Sequence, residues 1–158
     1  AQGGNVFICN NTDEVEKKLV TIFDKQSREY DYVALAQEKI SIVSEYRVVV
    51  LNRNIELVYT KDISGAVFKG NLSPLHWEGA RALISIDEKL RNRLQEFLNP
   101  LFDRIDLRWG GLDIAVDQGG KFWLFEINTH PGFSHFIKDN GKGHIVDLYK
   151  KALKSLYE

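Results

Sequence analysis

The stretch Leu107–Phe133, LRWGGLDIAVDQGGKFWLFEINTHPGF, decides how the rest of the chain is read. Two apolar-rich runs flank Gly119-Gly120, and a pair of residues that both tolerate φ > 0 suits a two-residue hairpin turn. With the turn placed there, Gln118 faces Lys121, and counting outward sets Asp113 directly opposite Glu126. Side chains alternate faces along a strand, so Asn128 shares the face of Glu126. Directly opposed Cβ atoms lie about 5 Å apart. The oxygen-bearing side chains of Asp113, Glu126 and Asn128 therefore converge on one patch. The other face carries Leu112, Ile114, Val116, Trp123, Phe125 and Ile127 and is expected to be core. That pins the register, because a slip of one residue would expose the whole apolar set.

Two carboxylates at this separation disfavour joint ionisation unless a cation sits with them. Oxygen donors without Cys or clustered His suit Mg²⁺ or Mn²⁺ rather than Zn²⁺. The alternative is a sheet with one solvated polar face. Asn128, two residues after Glu126, and the His130-Pro131-Gly132 turn favour the cation site. His130 and His135 do not have zinc-ligand spacing. Trp77, Trp109 and Trp123 read as core or pocket wall rather than a stacking platform for nucleic acid.

The chain has 158 residues, 44% of them hydrophobic and 11% aromatic, enough for one domain or part of a larger one. A net charge of −1 argues against a dominant nucleic-acid surface. The single Cys9 precludes an intrachain disulfide and fits a reducing compartment, so a cytoplasmic location is expected. No apolar run approaches a membrane span and no signal peptide is visible. The chain contains no Met and opens Ala1-Gln2-Gly3-Gly4, which reads as a piece of something longer.

Working outward, Val6–Cys9 reads as a short strand after a Gly3-Gly4-Asn5 loop. Asn10, Asn11 and Thr12 offer helix caps for a helix from about Asp13 to Lys25. Tyr32–Ala36 is the apolar part of a strand. Glu45–Leu51 (EYRVVVL) is strongly β-branched, and Asn52-Arg53-Asn54 turns it back into Ile55–Lys61. Val67–Leu72 reads as a short strand or loop, and Leu75–Leu83 is ambiguous. Ser85 and Glu88 form a capping box for a helix reaching about Phe102, which Pro100 kinks or ends. Phe133–Lys142 reads as loop, and Ile145–Leu156 as a last helix. The order β-α-β-β-β-α-β-β-α indicates an α+β fold with mainly antiparallel sheets and helices packed on them.

The stretch GLDIAVDQGGKFWLFEINTHPGF resembles the C-terminal motif of the ATP-grasp superfamily, whose carboxylate–amine ligases include D-alanine–D-alanine ligase, glutathione synthetase and the RimK-type ligases. The resemblance implies an ATP-grasp fold and makes Asp113, Glu126 and Asn128 the ligands of Mg²⁺ (or Mn²⁺) on the ATP phosphates. Ala34–Ile40 (ALAQEKI) looks like the strand lining the adenine pocket, with Gln37, Glu38, Lys39 and Ile40 as its hinge. Glu45 resembles the ribose-contacting acid. Arg47 looks like the Arg of the RimK-type Asp-Ile-Arg motif. Phe68-Lys69-Gly70-Asn71-Leu72 resembles the RimK-type Phe-Arg-Ser-Asn-Leu stretch, which places Lys69 and Asn71 by the phosphates and the reacting carboxylate. Gly3 and Gly4 look like the end of the loop that closes over ATP.

Departures narrow the match. D-alanine–D-alanine ligases carry an Arg two residues before the metal-binding Asp, where Gly111 stands here; RimK-type members lack it too. Lys69 stands where RimK-type members have Arg and loses the bidentate fork. The family's upstream phosphate-binding lysines and the N-terminal substrate-binding domain are absent from these residues. The resemblance implies a partial ATP-grasp domain, with about 1–62 a small nucleotide-binding part and about 63–158 a larger metal-binding part.

The activity implied is ATP-dependent amide or peptide bond formation between a carboxylate and an amine, small-molecule or peptide, through an acylphosphate. Arg47, Lys69 and Asn71 are then the catalytic candidates. The missing lysines leave open a non-catalytic nucleotide-binding fragment, and some members of the superfamily are kinases. Neither nucleic acid nor membrane is expected as partner.

Overall fold

The computed structural model describes residues 6–67, 75 and 77–157, so Gly3, Gly4, Lys69 and Asn71 lie outside the described residues. Its elements are α1 (Thr12–Phe23), β1 (Ile42–Leu51), β2 (Asn54–Asp62), β3 (Arg81–Ile84), α2 (Glu88–Phe102), β4 (Trp109–Asp117), β5 (Phe122–Asn128), α3 (Ser134–Asn140) and α4 (Gly143–Lys154). The chain divides into two compact units with a boundary between Ile40 and Ser41. The strands β1 and β2, which the sequence groups with the N-terminal part, share one sheet with β4 and β5.

In the N-terminal unit, Asn11 caps α1 through its Oδ1, which accepts from the Glu14 amide at 2.9 Å. The Glu14 carboxylate in turn accepts from the Asn10 amide at 2.9 Å, so two orphan donors are satisfied reciprocally. The expected strands at Val6–Cys9 and Tyr32–Ala36 form no ladder among the described residues. Tyr32 and Leu35 stay exposed. Their composition fits a pleated surface, but a strand exists only through a partner, and none of the described residues supplies one.

The second unit is an α+β fold built on one antiparallel sheet in the order β3-β2-β1-β4-β5. Val48, Val49 and Val50 of the central β1 are fully buried, because both faces of the sheet are covered. On one face Leu94, Leu98 and Phe102 of α2 pack against Val48, Val50, Val58, Leu112 and Ile114. On the other, Phe136 of α3 and Ile145 and Leu148 of α4 pack against Val49, Leu57, Tyr59 and Ala82.

Three helices differ from expectation. The cap of α2 is Asp87, whose carboxylate accepts from the amides of Lys89 and Leu90, so the helix starts beyond the expected Ser85 box. Ile86 is therefore left exposed. The helix also runs two residues past Pro100. The segment read as loop contains α3, seven residues long and closed by Gly141 at φ +77°. Its flanking Gly, Asn and Lys residues hid one buried anchor, Phe136, which is too little to show a helical period. The last helix, α4, spans Gly143–Lys154 rather than reaching Leu156.

Candidate active site

The register between strands builds the site. Arg47 on β1 pairs with Tyr59 on β2 and Asp113 on β4, and Asp113 pairs with Glu126 on β5. Tyr59, Arg47, Asp113 and Glu126 thus form one row across the sheet, on the face that carries α3 and α4. Neighbouring rows bring Asn128 opposite Gly111, and Lys61 beside Glu45.

The expected opposition of Asp113 and Glu126 is present, although the hairpin differs from the simple count in two places. Asp117 and Lys121 close the turn, so the loop is three residues, with Gly120 at φ +79°. A bulge between Asp113 and Ile114 then restores the offset. Between turn and bulge the β5 face is inverted: Phe122 and Leu124 pack on the core and Phe125 is exposed, while beyond the bulge Ile127 packs on the core as expected. The expected core positions of Trp123 and Phe125 are therefore corrected. Trp123 instead donates its indole N–H to Asp117 Oδ2 at 2.8 Å and lies under the Lys121 ammonium.

Asp113 is the centre of a buried ion network. Arg47 holds it with a two-pronged grip, Nε to Oδ1 at 2.6 Å and Nη2 to Oδ2 at 3.0 Å. Lys61 Nζ lies 3.0 Å from Oδ1 and also donates to Glu45. Glu45, Lys61 and Asp113 are all buried. Burial lowers the Arg47 pKa, but the charge and hydrogen bonds of Asp113 outweigh it and the net shift is upward. The Tyr59 phenol is pushed up to about 12, chiefly by burial; Arg47 opposes this and Asp113 adds to it.

Gly111 explains how Arg47 reaches across the sheet. A Cβ there would meet Pro131 Cβ at 2.7 Å and Arg47 Cδ at 3.2 Å. The glycine leaves space for the guanidinium that comes from β1.

Whether these residues suit a divalent cation can be judged from their free acceptors. An ionised carboxylate offers about four lone-pair positions. Arg47 takes one on each oxygen of Asp113 and the Lys61 ammonium stands 3.0 Å from Oδ1, which leaves a position open on Oδ2. Exposed Glu126 and half-buried Asn128 add oxygen donors on the adjoining strand. This all-oxygen set fits Mg²⁺ or Mn²⁺. Among the described residues no three His, Cys, Asp or Glu side chains come together as a metal group.

The other expected residues fall elsewhere. Gln37, Glu38 and Lys39 are exposed and Ile40 half-buried, in the extended end of the N-terminal unit. Glu45, expected at the ribose, directs its carboxylate to Lys61. The partner of Arg47 is Asp113, from the strand on its other side. Sequence reasoning missed Lys61 and Tyr59. The Asn52-Arg53 turn alone would set Arg47 against Val58, and a bulge opposite Val49-Val50 moves every later pairing by one. A cavity of about 610 Å³ opens at the β1–β2 turn, near Arg91, Lys151 and Ser155. Arg91 there already donates to the Ile55 carbonyl, and Lys151 is paired with Glu56.

A YheC/D-like ATP-grasp family model matches residues 69–156, more than half of the chain, and the chain belongs to this ATP-grasp family. A D-alanine–D-alanine ligase of Acinetobacter baylyi is 31% identical over 112 residues, covering 66% of this chain and 35% of that enzyme. One from Pseudomonas putida is 54% identical over 26 residues, 16% of this chain and 8% of that enzyme. The chain thus spans well under half the length of these curated relatives. Among solved structures, the ATP-grasp ligase PsnB with a minimal precursor has a TM-score of 0.46 at 18% identity, over 72% of this chain and 36% of that one. The macrocyclase MdnB from Microcystis aeruginosa has 0.42 at 19%, over 90% and 46%. No helix among the described residues is long and apolar enough to cross a membrane.

Proposed function

We propose that the chain is the metal-binding core of an ATP- and Mg²⁺-dependent carboxylate–amine ligase. The observation that supports it is the row Arg47–Asp113–Glu126 with Asn128 in the adjoining row: two carboxylates and an amide beside a fixed guanidinium. In this reading Asp113, Glu126 and Asn128 hold the metal. When bound, the metal neutralises the polyphosphate as charge moves between its oxygens. A substrate carboxylate oxygen bonds to the γ-phosphorus while the bond to the β–γ bridging oxygen breaks, releasing ADP. The amine then attacks the acylphosphate carbon, loses its proton, and phosphate leaves.

The contribution of the chain is positioning and charge. Arg47 is oriented by both oxygens of Asp113 and presents a fixed positive charge to the transferring group. Lys69 and Asn71 are proposed to assist it, with Gln37, Glu38, Lys39 and Ile40 at the adenine, Glu45 at the ribose edge, and Gly3 and Gly4 over the phosphates. Residues to about 62 are proposed as the nucleotide-binding part and those beyond as the metal-binding part. The acceptors are small-molecule or peptide carboxylates and amines, and the location proposed is cytoplasmic.

The test is ADP release and amide formation by the full-length protein. Asp113→Ala and Glu126→Ala are each expected to lower the rate by about 100-fold or more, the scale of losing one major electrostatic contact. Unchanged ATP-dependent ligation in both variants would discard this reading. A phosphorylated product with no amide would favour a kinase.

A further inference from the structure

Asp113 carries an excess of cationic partners for a residue that is to receive a metal. Arg47 grips both its oxygens, and the Lys61 ammonium stands 3.0 Å from one of them. The Lys61 side chain is 4% exposed and is held from its other side by Glu45. Lys61 cannot swing away without leaving the buried Glu45 carboxylate unpaired, which is strongly unfavourable. The four buried or half-buried charges, Glu45 and Asp113 against Arg47 and Lys61, already sum to zero.

A free divalent cation arriving at Asp113 therefore meets a carboxylate whose charge Arg47 and Lys61 already offset, and only Glu126 on the adjoining strand is left to attract it. Beside the buried Asp113 and Lys61, repulsion from the two cations over a few ångströms is large enough to weaken the binding of a bare ion. A polyphosphate reverses the balance, because its negative charge faces both cations and travels with the metal.

We propose that Lys61, seated between Glu45 and Asp113, acts with Arg47 to bar a free divalent cation from this site, so that metal enters only together with a polyphosphate. The inference rests on the metal reading of Asp113, Glu126 and Asn128 given above. Lys61 is a positioning residue that sets the charge of the site without touching the metal. Linkage makes the effect reciprocal: removing the Lys61 charge tightens free-metal binding and shrinks the gain that polyphosphate confers.

The probe is Mn²⁺ on the full-length protein, with free-ion binding read by electron paramagnetic resonance and preformed Mn²⁺–ADP binding by calorimetry. Lys61→Met is expected to bind free Mn²⁺ about tenfold tighter or more, in the range of coupled sites. Lys61→Met leaves Glu45 buried alone, so the double variant Glu45→Gln/Lys61→Met, which removes both partners, carries the test if the single one unfolds. Adding Asp113→Asn should abolish the gain. Mn²⁺–ADP binding that depends on Asp113, with free Mn²⁺ affinity unmoved in the folded variants, overturns the proposal and leaves the metal reading standing. No Asp113-dependent binding of either form overturns both.

Discussion

Tyr59 sits where burial and charge act on the same phenol. It is enclosed by the sheet and by Phe136, whose ring centroid is 5.0 Å away. Its pKa rises from 10.0 to about 12. The folded chain therefore keeps the phenol proton to higher pH than the unfolded chain does. Stability from this group is complete below pH 10 and is lost as pH rises toward about 12. Alkaline unfolding should begin in that window, and Tyr59→Phe should flatten the decline there. A Tyr59→Phe protein whose stability falls as steeply as the parent between these pH values would refute the assignment. Nothing in the sequence signalled this shift, because it needs the register across three strands. By contrast, EYRVVVL is legible as a strand from its β-branched residues, and Glu45 and Arg47 stand out in it through the resemblance to the ATP-grasp ligases. Their partners are not legible, since those come from a bulged β2 and a distant β4.

The β4–β5 hairpin shows how an element can be read correctly through two compensating offsets. The three-residue loop shifts the pairing one way and the bulge at Phe125 shifts it back, so Asp113 still meets Glu126. Gly119-Gly120 announces a turn but not its length, and a bulge has no composition of its own. The tip is set by Asp117. Its Oδ2 accepts from the Trp123 indole, and its Oδ1 from the amides of Lys121 and Gly119. Those bonds, the Trp123 one first, hold its pKa below the ordinary carboxylate value. The stability they confer is present above that ordinary value and fades as pH falls through the lowered one. Acid titration should therefore release Trp123, read as a change in indole fluorescence. Asp117→Ala should show the released signal already at neutral pH, with faster amide exchange at Lys121. An unchanged indole signal in that variant would mean the tip is held by the strands alone.

Across the whole sheet the two faces have different duties. The α2 face is packed by a hydrophobic cluster that includes Leu94 and none of Tyr59, Arg47, Asp113 and Glu126. The α3 and α4 face shares its apolar cluster with Tyr59, and α3 also caps the edge strand β3: Asp139 accepts from the Ala82 amide and Asn140 donates to its carbonyl. Both core positions should matter similarly for stability, with Leu94→Ala losing about 2–5 kcal/mol and Phe136→Ala about 3–5 kcal/mol. Their effects on the site should separate. Removing Phe136 opens the wall that desolvates Tyr59, so its phenol pKa should move down from about 12 toward the ordinary 10.0. Removing Leu94 leaves that wall in place, and the phenol should still titrate near 12. Ultraviolet titration of the tyrosinate band in the two variants makes the comparison, with Tyr59→Phe identifying the band. Equal titration curves would show that the faces are coupled through the sheet. A difference confined to Phe136→Ala would show that α3 shields the row in which Arg47 and Asp113 meet.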